Sequence, residues 1–261
     1  MENRLPMNLA IETNGLTRRF GTFAAVDGLA LSVPAGEFYG FLGPNGAGKS
    51  TTIKMLTGLL APSAGTMRIL GEDVSDPDRA LAVKRRVGVV PENLALFDNL
   101  TAREYLTFVG RMYLIPLPTV RERCQQLLAV MALENEEKKL VVEYSHGMRK
   151  KLALAAALLP DPDLLFLDEP FEGVDAVSSR VLRDTLKQFV RRGATVFLTS
   201  HVLEIVEKLC TQVGIIARGR LVCQATMDEI RQSGSLEDRF IAAVGGDEVE
   251  RQKLTWLEGG V

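Results

Sequence analysis

The segment Tyr144–Asp175, YSHGMRKKLALAAALLPDPDLLFLDEPFEGVD, contains a short Ser/Gly turn, an apolar helix and an apolar strand that ends in two carboxylates. Strand and helix continue to alternate after it, which is typical of a largely parallel sheet with helices on both faces. Ligands of such sheets bind at the carboxyl ends of the strands. Asp168 and Glu169, which follow the predicted strand Leu164–Leu167, are therefore expected at a binding edge.

A glycine-rich loop, Gly43–Ser50, lies upstream, between the largely apolar run Glu37–Leu42 and a predicted helix. Its sequence, GPNGAGKS, fits the pattern G-x-x-x-x-G-K-[ST], in which backbone N–H groups surround phosphate oxygens at the positive end of a helix. Lys49 is expected to reach the β- and γ-phosphates, and the Ser50 hydroxyl is expected to bind Mg²⁺. A plain glycine turn is the alternative, and a phosphate loop by itself names only a ligand.

Two further patterns complete the predicted α/β fold. Asn8–Thr13 and Val26–Val33 alternate apolar and polar residues between glycine turns, which predicts antiparallel strands. Residues from about 95 to 160 are predicted to form an inserted helical subdomain, in which Pro116–Pro118 separates two helices. The expected organisation is one domain over residues 1–245, followed by a polar tail over 246–261.

The carboxylate pair and a histidine are the candidate catalytic groups. Asp168 is expected to orient Mg²⁺ and its waters, and Glu169 is expected to face the γ-phosphate and polarise an attacking water. An acidic helix N-terminus is the alternative explanation of this pair. His201 stands after the predicted strand Thr195–Thr199, where it can donate a hydrogen bond to a γ-phosphate oxygen or serve only as a polar loop residue.

Composition narrows the class of protein. The 261 residues carry a net charge of −2, which gives no general attraction to nucleic acid. Three cysteines without metal-binding spacing indicate reduced thiols in a cytosolic protein. The N-terminus lacks a signal-peptide core, and no apolar run approaches the roughly 20 residues of a membrane span. Short basic clusters are interpreted as solvated helix faces: Arg85-Arg86, Arg149-Lys150-Lys151 and Arg191-Arg192.

The order of the phosphate loop, Ser145-His146-Gly147, LLFLDEP, Gly173-Val174-Asp175 and Ser200-His201 resembles the ATP-binding-cassette (ABC) ATPases over roughly residues 8–225. The resemblance implies a P-loop NTPase core with ATP and Mg²⁺ as cofactors and with Glu169 and His201 as catalytic residues. The nucleotide-binding residues that it implies are Phe20 on adenine, then Gly43, Pro44, Asn45, Gly46, Ala47, Gly48, Lys49, Ser50 and Thr51. The implied magnesium residues are Ser50, Glu92 and Asp168, and the residues implied to contact a nucleotide held by another subunit are Ser145, Gly147 and Asp175.

Two departures from the family pattern affect these expectations. The usual signature is L-S-G-G-Q, whereas this chain has His146 in place of a glycine and Met148 in place of the glutamine. A tolerated variant is the favoured interpretation, and an inactive site is the alternative. Glu92 stands where the family usually has glutamine, so it is expected to bind or water-bridge the metal, the alternative being an exposed loop carboxylate.

The resemblance also implies partners. A second ABC ATPase subunit, in a homo- or heterodimer, would complete each ATP site, and a separate transmembrane permease would hold the pair at the cytoplasmic face of the membrane. Leu100–Leu106, Tyr144–Met148 and Gly234–Phe240 resemble the ATPase subunits of drug- and antibiotic-type exporters. Residues about 92–112 and the helical insert are then expected to face the permease, and no nucleic acid is expected as a partner.

Two other functions fit parts of the same pattern. One is a soluble single-cassette ABC ATPase of an assembly system. The other is a regulatory nucleotide-binding subunit with little hydrolysis, which the substitutions Glu92 and His146 suggest. Retention of Glu169 and His201 argues against the second, because an inactive subunit has no chemical need for either residue.

Overall fold

The computed structural model describes residues 8–245, so the predicted polar tail, 246–261, lies outside the described residues. The strands of the described part are β1 (Leu9–Phe20), β2 (Phe23–Pro34), β3 (Phe38–Leu42), β4 (Ala64–Ile69), β5 (Glu72–Asp73), β6 (Val87–Val90), β7 (Leu164–Asp168), β8 (Thr195–Ser200), β9 (Gln212–Ala217) and β10 (Arg220–Thr226). The α-helices are α1 (Lys49–Leu56), α2 (Pro77–Lys84), α3 (Ala102–Met112), α4 (Leu117–Val130), α5 (His146–Leu158), α6 (Ala176–Arg191), α7 (Leu203–Leu209), α8 (Met227–Ser233) and α9 (Leu236–Val244).

The central sheet has the strand order β10-β9-β3-β8-β7-β6. All neighbours are parallel except β10, which pairs antiparallel with β9 at one edge. Every residue of β3, β7 and β8 is buried, as expected for parallel strands covered on both faces. Alternate residues enter different cores: Leu165 and Leu167 pack on one side of the sheet, and Leu164 and Phe166 on the other. The mainly parallel sheet is thus confirmed.

The N-terminal strands form a second, antiparallel sheet with the order β2-β1-β4-β5, which confirms the expected antiparallel pairing. Strands β1 and β2 are longer than the sequence predicted and meet in a hairpin whose ends are Phe20 and Phe23. Gly21, in the two-residue connection, takes a φ of 58°, a left-handed conformation that favours glycine. The hairpin therefore carries two aromatic side chains at its tip.

Helices α3, α4 and α5 occupy the region of the predicted helical subdomain. Helix α3 begins at a capping box between Thr101 and Glu104. Helix α4 begins at Leu117, inside the segment Pro116–Pro118 that was expected to separate the two helices, because Pro118 fits the first turn of a helix, where no N–H partner is needed. These helices share a hydrophobic core with one face of the central sheet. Their treatment as a subdomain stays a prediction.

Several elements had no sequence prediction, namely β4, β5, α2 and β6 between residues 64 and 90, and β10, α8 and α9 after residue 219. Strand β4 is mostly exposed, which removes the apolar alternation that reveals a strand. Among the helices of residues 8–245, none combines the length and apolarity that crossing a bilayer demands.

Register brings the functional segments to one edge of the central sheet. Leu42 at the end of β3 pairs with Ser200 at the end of β8, and Asp168 at the end of β7 pairs with Thr199. The glycine loop, the carboxylate pair and His201 therefore all leave the sheet at neighbouring positions. This arrangement follows from parallel pairing, because parallel strands end at the same side of a sheet.

Candidate functional site

The glycine loop connects β3 to α1 through backbone conformations that only glycine adopts easily. Gly48 precedes the helix with a φ of 109°, and Gly46 has a φ of 79°. A Cβ atom on Gly48 would lie 2.5 Å from the carbonyl oxygen of Ala25, and one on Gly43 would lie 2.4 Å from that of Ile216. The loop is therefore packed against two other strands, and its path requires glycine for steric as well as torsional reasons.

Lys49 opens helix α1 and turns back over the loop. Its Nζ donates hydrogen bonds to the carbonyl oxygens of Gly43, at 2.7 Å, and of Pro44, at 3.3 Å. The side chain is buried, so its charge is held close to the loop's backbone. An ammonium group at the positive end of a helix, beside free N–H groups, makes the loop a binding site for anionic oxygens.

A cleft of about 590 Å³ lies over this loop, which is a usual volume for a small-molecule site. It brings together groups that are far apart in the sequence, and its lining comprises Phe20, Phe23, Ala25, residues 44–51, Glu92, Glu169, Glu172 and His201. Of the residues predicted to bind the nucleotide or the magnesium of their own subunit, Gly43 and Asp168 are buried and do not line the cleft. The other predicted residues of the set converge there.

The hairpin tip supplies the aromatic wall of the cleft. Phe20 is 48% exposed and Phe23 is 62% exposed, which is unusual for phenylalanine and suits a surface that receives a planar ligand. The guanidinium of Arg18 lies 4.7 Å from the centre of the Phe20 ring. Phe23 was not predicted as a site residue, although its place two residues after Gly21 in a hairpin could have indicated it.

Asp168 and Glu169 point in different directions because the chain turns sharply between them. Asp168 ends β7, and its Oδ1 accepts a hydrogen bond from the buried Thr199 hydroxyl at 2.5 Å. Glu169 has a φ of 48°, a left-handed conformation that is rare for a residue with a side chain. This turn carries the Glu169 carboxylate out of the strand direction and into the cleft.

The Glu169 carboxylate contacts His201. Its Oε2 lies 3.0 Å from the His201 Nδ1 and accepts a hydrogen bond from the His201 N–H at 3.3 Å. The side chain of His201 is about half exposed and lines the same cleft, whereas that of Glu169 is almost buried. A carboxylate held in this way, at the floor of a cleft beside a phosphate loop, is suited to accept a proton from a bound water.

The oxygen donors suited to a hard cation come from three elements. Ser50 and Glu92 line the cleft, whereas Asp168 is buried next in sequence to Glu169, which lines it. Within residues 8–245 no group of three or more His, Cys, Asp or Glu side chains is arranged to hold a metal by itself. Mg²⁺ commonly takes one or two carboxylates together with substrate phosphates and waters, and Ser50, Glu92 and Asp168 have the right donor chemistry for that mode.

The predicted signature turn forms a second group of residues, outside the cleft. Ser145 caps α5 by accepting a hydrogen bond from the Met148 N–H at 3.2 Å. Asp175 caps α6 in the same way, and the N–H of Ser178 holds the pKa of the Asp175 carboxyl below its usual range. A Cβ on Gly147 would lie 3.3 Å from Asp175 Oδ2, so the two caps are adjacent. One chain thus presents two distinct surfaces, the cleft and these paired caps.

His146, the first departure from the family signature, lies against Gly173 in the turn that precedes Asp175. Its ring atom Cδ2 would be 3.0 Å from a Cβ on Gly173, whose φ is 66°. The ring therefore covers Gly173 of its own chain, while Ser145 remains exposed. The substitution leaves the helix cap at Ser145 in place.

The interpretation of Lys150 and Lys151 as part of a solvated face is wrong. Lys150 is 2% exposed and Lys151 is 8% exposed, because α5 is covered by the sheet and by neighbouring helices. The Lys150 Nζ donates a hydrogen bond of 2.7 Å to the carbonyl oxygen of Glu169. The sequence did not predict the contact of Lys150 with Glu169 or that of Thr199 with Asp168. For the contact of Lys150, the only indication in the sequence was a pair of lysines at the start of an apolar helix.

Comparisons with known proteins agree with this geometry. A family model described as "ABC transporter" matches residues 26–172. The daunorubicin/doxorubicin resistance ATP-binding protein DrrA of Streptomyces peucetius is 41% identical over 97% of this chain and 76% of its own length. The Nod factor export ATP-binding protein I of Burkholderia lata is 41% identical over 85% of this chain and 73% of its own.

Solved structures give the same fold. The ATP-binding subunit of an ABC transporter superposes with a TM-score of 0.83 at 28% identity, covering 90% of this chain and 99% of that one. A dimeric ATP-binding cassette in a post-hydrolysis state, bound to ADP and Pi, gives a TM-score of 0.76 at 22% identity, covering 83% of this chain and 98% of that one. At that identity the second likeness concerns the fold alone.

Proposed function

The chain belongs to the ABC transporter family as an ATP-binding subunit, and we propose that it hydrolyses ATP to drive an exporter whose permease is a separate chain. The observation that carries the proposal is the cleft in which the glycine loop, Glu169 and His201 meet. A phosphate loop alone would support nucleotide binding only. The carboxylate and the imidazole beside it supply groups for hydrolysis.

ATP binding is assigned to one side of the cleft. We propose that Phe20, together with Phe23, stacks on the adenine and that residues 43–51 surround the phosphates through their N–H groups. Lys49 already lies over the loop, held by backbone carbonyls, and would exchange these contacts for phosphate oxygens. These contacts position the ammonium at the loop, where the phosphates would lie.

Hydrolysis is assigned to Glu169 as general base and to His201 as its partner. Glu169 would accept a proton from the attacking water, and His201, 3.0 Å from the carboxylate, would orient it and contact the γ-phosphate. Ser50, Glu92 and Asp168 would hold Mg²⁺, directly or through waters, and a bound Mg²⁺ would neutralise charge on the phosphates. Thr199 would fix Asp168 through their 2.5 Å hydrogen bond.

A complete site requires two subunits. Ser145, Gly147 and Asp175 lie together but outside the cleft of their own chain, which supports their assignment to the nucleotide held by a partner. Helix α5 would direct its positive end and the Ser145 hydroxyl to the partner's γ-phosphate. A second copy of this chain has every part that such a partner needs, and isologous pairing would make two sites.

The permease partner and the membrane location rest on the relatives. Proteins named for drug resistance and Nod factor export match most of this chain, which supports an exporter over a soluble assembly ATPase. We propose that residues about 92–112 and the helical insert face the permease at the cytoplasmic side of the membrane. The exposed side chains Phe97, Phe108 and Met112 give this region an apolar surface suited to a protein contact.

Replacing Glu169 by glutamine tests the assignment of the base. We expect Glu169→Gln to lower kcat by about 10²–10⁴-fold, the usual contribution of a general base, while ATP binding is retained and an ATP-bound dimer accumulates. Steady-state ATPase assays and size-exclusion chromatography with ATP measure both effects. Glu204→Gln, at an exposed helix position, is the matched control and should turn over normally. Normal turnover by Glu169→Gln would show that another group is the base.

The magnesium assignment predicts a shift in metal dependence. Glu92→Ala should raise the Mg²⁺ concentration needed for half-maximal ATP hydrolysis, because one oxygen donor to the ion or its waters is lost. Glu92→Gln keeps an oxygen at the same position and should stay close to the unchanged protein. A Mg²⁺ titration of ATPase activity separates the variants. Identical curves for Glu92→Ala and the unchanged protein would remove Glu92 from the metal site.

The exporter assignment predicts a stable membrane complex. Affinity purification of the chain from detergent-solubilised membranes should recover a polytopic protein in fixed stoichiometry, identified by mass spectrometry. Phe108→Glu would place a charge in the apolar surface and should reduce that recovery while leaving ATP binding intact. Recovery of the chain only with soluble proteins would favour the assembly ATPase instead.

A further inference from the structure

Lys150 is a buried charged residue that the proposed mechanism does not use. It lies in α5, and its side chain is 2% exposed. An isolated ammonium removed from water costs several kcal/mol, so a buried lysine is retained only where other groups compensate its charge. The compensating groups therefore indicate what Lys150 does.

Four carboxylates, from two segments of the chain, act on this ammonium through their charge. Burial lowers the pKa of Lys150, and the charges of Glu172, Glu169, Glu92 and Asp168 oppose that shift by favouring the charged form. Three of these four residues, Glu92, Asp168 and Glu169, belong to the proposed magnesium and catalytic groups. Lys150 thus stands outside the lining of the cleft, and its positive charge offsets the negative charge of these four carboxylates.

The hydrogen bond that Lys150 donates goes to the backbone, not to a carboxylate. Its Nζ lies 2.7 Å from the carbonyl oxygen of Glu169. The N–H of the same residue donates to the Thr199 hydroxyl at 3.1 Å. The carbonyl oxygen also accepts a longer hydrogen bond, of 3.3 Å, from the Glu172 N–H. Each polar group of the Glu169 backbone thus contacts a buried side chain, one from α5 and one from β8.

These two contacts act on a strained residue. A left-handed φ such as the 48° of Glu169 costs of the order of 1–3 kcal/mol and persists only where the surroundings enforce it. The strained residue directly follows the end of β7 at Asp168, and its side chain lines the cleft. The position of the Glu169 carboxylate therefore depends on the contacts that hold the backbone of Glu169 in this conformation.

We propose that Lys150 is a positioning residue for ATP hydrolysis: its ammonium, bonded to the carbonyl oxygen of Glu169, holds the left-handed backbone from which the Glu169 carboxylate reaches the attacking water. The inference rests on the proposed role of Glu169 as the base. It also gives α5 two functions, since Ser145 at its cap faces the partner's nucleotide while Lys150, about 7.5 Å further along the axis, supports the base of its own subunit.

The first test compares Lys150→Met with Lys150→Arg. Lys150→Met removes the donor and should lower kcat by about 10–100-fold, because small displacements of a catalytic group have effects of this size. ATP affinity, measured by equilibrium binding, and KM should stay nearly constant. Lys150→Arg retains a cationic donor and should recover part of the lost kcat. Unfolding temperatures of all variants show how much protein is folded in each assay.

Lys151→Met is the matched control, since Lys151 is also buried in α5 but interacts with the charges of Asp175 and Glu134 instead. It should lose stability without the selective fall in kcat. If Lys150→Met changes kcat no more than Lys151→Met does, or if its only effect is a lower unfolding temperature, Lys150 has a structural role and the proposal is overturned.

A double variant separates this inference from the proposed function. If Lys150 acts through Glu169, then Lys150→Met should add no further loss to the residual turnover of Glu169→Gln, because residues that act as a unit are not additive. An additive loss would overturn the positioning role. Normal turnover by Glu169→Gln alone would instead overturn the base assignment, whatever Lys150→Met does.

Discussion

The parallel pairing of β3, β7 and β8 is the constraint on which the rest of the structure depends. It brings Leu42, Asp168 and Ser200 to the same edge of the sheet, so that the phosphate loop, the carboxylates and His201 leave from adjacent strands. Each of these segments is built locally, but none has a function without the others. Because β3, β7 and β8 are paired in this register, the turns that follow them lie side by side and line one cleft.

Helix α5 is the second organising element. Its cap, Ser145, and the neighbouring cap, Asp175, lie on a surface separate from the cleft, while Lys150 of the same helix contacts the backbone of Glu169. In the proposed dimer, the rigid helix would therefore connect the nucleotide of one subunit with the base of the other. The helix belongs to the region predicted to face the permease, so a movement there would reach both ATP sites.

The sequence was sufficient for features that are encoded locally. The glycine loop and the strand that ends at Asp168 each have a short pattern with a direct physical cause. Features that depend on packing could not be predicted. Lys150 lies in a basic cluster that suggests solvent, and its burial follows only from how α5 meets the sheet. The left-handed turn at Glu169 and the Thr199 contacts are tertiary in the same sense, since they require β7 and β8 to be paired.

A mixed-dimer experiment can show whether each chain has one cleft and supplies the cap surface for the cleft of its partner. Chains carrying Lys49→Ala and chains carrying Ser145→Arg are assayed for ATPase activity separately and after equal mixing. Each alone has a defect in both sites, whereas a mixed dimer has one site with both defects and one with none. Mixing should restore about a quarter of the unchanged rate, because half of randomly formed dimers are mixed and each has one intact site. A mixture no more active than its separate components would contradict the proposed dimer.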